Sequence, residues 1–189
     1  MHTIITVVVA AVLATTVSGC ARARHAPSRP ETPTEATSGA LPPIQAVERI
    51  PSSTPKQAVT AYLAAAPEAY FSLEVTVVAP FVTERQEVRE DAYIELNRQE
   101  GRALEMALTS FLVVDEPVAP SEDETSAIVR TQERWRWRYW DIMARRPSTE
   151  WATTTYRMEY TVERHGTGWL VASSKVLEQS GDTSPTPLP

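Results

Sequence analysis

Ala127-Ile-Val-Arg-Thr-Gln-Glu-Arg-Trp-Arg-Trp-Arg-Tyr-Trp140 decides the fold, because its residue types alternate without a break. Ala127, Val129, Thr131, Glu133, Trp135, Trp137 and Tyr139 fall on one side, and Ile128, Arg130, Gln132, Arg134, Arg136, Arg138 and Trp140 on the other. Successive strand side chains point to opposite faces, whereas a helix would mix the two sets. The stretch is therefore a long strand with one face turned to a core. Residues 151–164 repeat the pattern: Ala152, Thr154, Tyr156, Met158, Tyr160 and Val162 oppose Thr153, Thr155, Arg157, Glu159, Thr161 and Glu163. His165-Gly166-Thr167-Gly168 reads as the hairpin turn into a closing strand over 169–177, with glycine supplying positive φ. Upstream, Leu104, Met106 and Leu108 alternate before an apolar run over 111–114.

Ahead of these strands the period is helical. Thr54-Pro55 reads as a helix start, a capping hydroxyl followed by a proline whose missing N–H costs nothing there. Ala58, Val59, Tyr62, Leu63 and Ala66 follow at helical spacing. Pro67 is expected to interrupt, with a second helix from about Glu68. Thr83 is the expected cap of a third helix, whose inner face reads as Val88, Ala92, Tyr93 and Leu96 and whose end is Gly101. Helices first and long antiparallel strands afterwards give a segregated α+β domain, N-terminal helices packed on a curved antiparallel sheet.

Residues 55–178 resemble the NTF2-like (cystatin-like α+β) superfamily. The run Tyr156-Arg-Met-Glu-Tyr-Thr-Val-Glu-Arg-His-Gly-Thr-Gly-Trp169-Leu-Val carries the resemblance, with Glu133-Arg-Trp135 before it. The same residues are similar to the C-terminal domain of chloroplast-division proteins that bind partners in the intermembrane space. The resemblance implies a cone between sheet and helices, and a homodimer through the sheet. It sets no function, since such folds host both enzymes and binders.

The flanks read differently. Of 15 prolines, seven lie between Ala21 and Pro55 and three after Gln179, while all fourteen aromatics lie between Tyr62 and Trp169. Residues 4–17 are an apolar run, short for a membrane span and suited to a signal peptide. Val17-Ser18-Gly19-Cys20 follows, which resembles a bacterial lipobox and implies cleavage before Cys20 and a diacylglycerol on its thiol. The n-region Met1-His2-Thr3 departs from the usual pattern in having no Lys or Arg. The expected organisation is a lipoprotein signal peptide over 1–19, a disordered Pro-rich tether over 20–54, the domain over 55–178 and a disordered tail over 179–189. The alternative for the N-terminus is an uncleaved anchor, and either places the domain outside the cytoplasmic membrane.

Four arginines meet three acids before residue 56, and fourteen cations meet twenty-one acids from residue 56 onward. An acidic domain argues against nucleic acid as a partner. One cysteine excludes a disulfide framework and a paired-cysteine metal site. The only histidine of the folded stretch, His165, falls in a turn, so neither a histidine dyad nor a metal cluster is expected, and no cofactor.

Two constellations remain. Glu133, Trp135, Trp137, Tyr156, Met158 and Tyr160 share the inner face of adjacent strands and suit a small ligand or a partner peptide; the alternative is ordinary core beneath the helices. Arg130, Arg134, Arg136 and Arg138 share the outer face and suit an anionic partner; the alternative is a solvated face paired with Glu159 and Glu163. The expected function is a membrane-anchored, non-catalytic envelope lipoprotein that binds a protein partner or a small ligand. The rival readings are an NTF2-like enzyme using Glu133 as base, or a purely structural extracellular domain.

Overall fold

The computed structural model describes residues 47–115 and 124–188. The expected signal peptide, Cys20 and all but the last residues of the expected tether lie outside the described residues.

Helix α1 spans Pro55–Ser72 and helix α2 spans Glu84–Gln99. Strands β1 (Arg102–Asp115), β2 (Ser126–Asp141), β4 (Ala152–His165) and β5 (Gly168–Gly181) form an antiparallel sheet in the order β1-β2-β4-β5, and the short β3 (Arg146–Pro147) pairs with the end of β2. The domain is α+β, two helices against an open antiparallel sheet. Val59, Ala66, Ile94, Val129, Trp135, Val162 and Val171 belong to the core between the layers. Register breaks at Leu108/Ser110, Arg157/Met158 and Thr161/Val162 mark bulges that bend the strands and increase the local twist.

Thr54 caps α1, its hydroxyl accepting from the Gln57 N–H at 3.2 Å. The helix runs through Pro67 without a break, so the expected second helix from Glu68 is the last turn of the first. Ala66 and Ala69 bury their small side chains on either side of Pro67 and hold the turn against the core, outweighing the hydrogen bond a proline removes. Leu73 closes the helix at φ 60, a conformation disfavoured for leucine. Its side chain is in the core and its carbonyl accepts from Arg98, which fixes the turn. Two 3-10 turns, Val75–Val77 and Ala79–Phe81, replace the β-branched part of the expected second helix.

Helix α2 is rotated relative to its expected orientation. Gln86, Glu90, Ile94 and Asn97 face inward, while Val88 is 69% exposed, Leu96 48%, and Ala92 and Tyr93 are exposed as well. A polar stripe faces the core because tyrosine hydroxyls from α1 await it there. Thr83 occupies the cap position with extended backbone, but its hydroxyl makes no capping hydrogen bond; its N–H donates to the Val171 carbonyl instead.

Both domain boundaries lie outside the expected 55–178. Before α1, Ser52 and Trp169 exchange two backbone hydrogen bonds of 2.8 and 3.0 Å, and Arg49 pairs with Glu87. After β5, the segment expected to be a disordered tail folds back. Asp182 and Thr153 pair through N–H groups of both residues, and the backbones of residues 186 and 188 bond those of 150 and 148.

Candidate functional site

The helices leave the concave side of the sheet partly empty, and a cavity of about 430 Å3 lies there, open to solvent on one side. Tyr62, Ala66 and Tyr70 reach it from α1 because residues four apart share a helix face. Glu133, Trp135, Trp137 and Tyr139 reach it from β2, and Tyr156, Met158 and Tyr160 from β4, every second residue as the pleat requires. Leu104 and Met106 of β1 and Ser174 and Val176 of β5 form the sides, with Tyr93 and Thr183 at the edge. All six tyrosines of the chain line this one cavity.

Two acidic side chains are buried beside it. Glu133, 2% exposed, accepts at Oε1 from the hydroxyls of Thr131 (2.6 Å) and Tyr160 (2.8 Å), and at Oε2 from the Trp135 indole N–H (2.8 Å). An indole N–H only donates, so Oε2 is fixed as an acceptor. Glu90 accepts from the Tyr62 hydroxyl (2.8 Å), the Gln86 amide (2.7 Å) and the Tyr70 hydroxyl. Tyr62 and Tyr160 meet edge to face at 6.0 Å and join the two clusters. Burial pushes the hydroxyls of Tyr62, Tyr70 and Tyr160 well above the ordinary phenol range, and nearby carboxylates push further. These phenols therefore stay protonated and donating. Desolvation also raises Tyr93 and Tyr156.

The Trp137 indole donates to Thr154 Oγ1 at 2.8 Å, and that hydroxyl donates in turn to the Asp182 carbonyl. The C-terminal segment thus braces a cavity wall, and Thr183 lines it.

Glu133, Trp135, Trp137, Tyr156, Met158 and Tyr160, named from alternation alone, are brought together in this wall. Sequence reasoning missed Glu90, Tyr62, Tyr70, Tyr93 and Tyr139 as members of the site. The signal was present on α1: two tyrosines on its buried face, each carrying a hydroxyl that needs a partner.

The four arginines lie on the opposite face of the sheet. Arg130 bridges Glu159 (2.9 Å) and Asp115 (3.4 Å), and Arg138 pairs with Glu105 (2.6 Å). Arg136 and Arg138 both cover the Trp151 ring at 4.3 Å. Arg134 stands exposed in a shallow groove beside Ser110, Thr153 and Thr155. Glu163, expected to answer the stripe, pairs with Arg85 of α2 instead. Among the described residues no group of three or more His, Cys, Asp or Glu side chains is placed to hold a metal, and no helix is long and apolar enough to cross a membrane.

The fold and the cavity define an α+β domain with an aromatic, carboxylate-bearing cleft between helices and sheet. No family model matches the sequence, and no curated protein matches it. Among solved structures, the intermembrane-space region of the chloroplast protein ARC6 is similar to this chain at TM-score 0.55 and 19% identity, over 68% of this chain and 98% of that one. A periplasmic fragment of TraM aligns at TM-score 0.42 and 12% identity, over 64% of this chain and 96% of that one. The first likeness is one of fold.

Proposed function

We propose that the chain is an extracytoplasmic, lipid-anchored binding protein whose NTF2-like domain takes a small ligand into the cone. The cavity carries this reading. Its volume of about 430 Å3 lies in the range of ligand sites, and its wall is apolar and aromatic with a few fixed polar groups. Binding is favoured over catalysis because both oxygens of Glu133 already accept hydrogen bonds from neighbouring side chains, Thr131, Trp135 and Tyr160. A general base needs an oxygen free to meet a substrate proton. The envelope location rests on the Cys20 motif and its preceding apolar run, and the fold shared with an intermembrane-space region is in keeping with it.

Two experiments test this reading. Protein purified from its native envelope is denatured, and released small molecules are identified by mass spectrometry beside those of a Val176→Trp variant. Val176 is 48% exposed and lines the cavity, so a large ring there blocks entry while leaving the core alone. A compound released by the wild type and depleted in the variant is expected; equal content in both contradicts the cavity reading. Separately, Cys20→Ala should move the protein from membrane to soluble fractions, and retention at the membrane would refute the lipid anchor.

A further inference from the structure

We infer that the ligand is an organic cation, an ammonium group on a small apolar body, drawn by its charge into the aromatic cage around Glu133. This rests on the cavity being a ligand site. Three observations carry it beyond that.

The first is the wall itself. Eight aromatic rings surround the space, and pairs of them meet edge to face: Tyr62 with Tyr160 at 6.0 Å, Trp137 with Tyr139 at 5.6 Å, Tyr70 with Tyr93 at 5.4 Å. Aromatic faces are electronegative, and a ring cage is the arrangement that recognises an ammonium ion.

The second is the charge balance. Several surface carboxylates of this domain have arginine partners, as in Arg130–Glu159, Arg138–Glu105 and Arg85–Glu163. Glu133 and Glu90 do not: among the described residues each is met only by neutral O–H and N–H groups. Cations were available to the fold and were placed elsewhere. Arg102 comes nearest, stacked on Tyr139 at 3.9 Å, but it is tied to Glu100 and Asn97 and is not part of the cavity wall.

The third is selectivity. Acidic side chains without a cationic partner repel an anionic ligand. A neutral hydrophobe would gain nothing from Glu133, whose burial costs free energy that a cation repays. The folded stretch also carries net negative charge, which favours cations over anions in its surroundings.

The test uses choline and its uncharged isostere 3,3-dimethylbutan-1-ol, titrated into the 15N-labelled full chain. The Trp135 and Trp137 indole N–H resonances are the readout, assigned through single Trp→Phe variants. Choline should shift both resonances saturably, at concentrations at least about tenfold lower than the alcohol. Glu133→Gln retains an acceptor for the Trp135 indole and should bring the two probes together. Val176→Trp, at the exposed mouth, should abolish the choline shift and serves as the second variant if Glu133→Gln folds poorly. If the alcohol matches choline, the cation inference is wrong and the cavity reading stands. If choline moves neither resonance, the inference is again overturned, and the compound released from native protein decides the wider reading alone.

Discussion

Tyr160→Phe removes one oxygen from the most enclosed part of the site, and its cost can be worked from the geometry. The hydroxyl donates to Glu133 Oε1 at 2.8 Å, and the ring is 2% exposed. The ring remains in the variant, so its packing against Tyr62 is kept. A hydrogen bond to a charged group contributes about 1.5–3 kcal/mol, and the variant no longer buries a hydroxyl, so the net loss is about 1–2 kcal/mol. Thr131 still donates to the same oxygen at 2.6 Å, so the carboxylate is not stranded. In a Glu133→Gln background the acceptor is an amide, and the same deletion should cost about 1 kcal/mol less. Urea denaturation of the two single variants and the double variant measures this coupling, with an unchanged m value as the check that only stability moved. Equal costs in both backgrounds would show that the hydroxyl does not bond to Glu133.

Gly168→Ala should destabilise by about 1–3 kcal/mol, because its Cβ would stand 2.6 Å from Pro51 Cβ and 2.9 Å from the Ser52 carbonyl. Limited proteolysis should then cut near residue 51; resistance equal to wild type would contradict the docked N-terminal strap. Alkaline pH should weaken the fold through Tyr62, Tyr70 and Tyr160. Their folded pKa values are raised above 10.0, so their contribution is intact below pH 10 and is lost as pH rises, at up to about 1.4 kcal/mol per pH unit for each. Urea midpoints that stay level between pH 9 and 11 would contradict the buried phenols.

The strands were legible because a half-buried sheet writes its period directly into the sequence. From Val129 to Trp135 every residue follows the expected in-and-out alternation, and the cavity residues on β2 and β4 come straight from it. Helix α2 was misread for an equally physical reason. Val88, Ala92 and Leu96 form an apolar stripe, so hydropathy turned it inward. Gln86 instead donates to Glu90, which also accepts from Tyr70 and Tyr62, and those two bonds join residues 20 and 28 positions apart, which periodicity cannot see. Pro67 misled because a proline rule describes an isolated helix, not one held by packing on both sides. The C-terminal segment looked like a tail from composition, yet its order comes from backbone bonds to residues 148, 150 and 153 that no side chain announces.

The central proposal is that the cleft between helices and sheet binds an organic cation. Calorimetric titration of phenyltrimethylammonium into the wild type and into Val176→Trp tests it most directly. The account predicts a saturable one-to-one isotherm for the wild type, with the negative heat-capacity change of apolar burial, and no binding heat for the variant. An absence of binding to the wild type, or the same isotherm for both proteins, would contradict it.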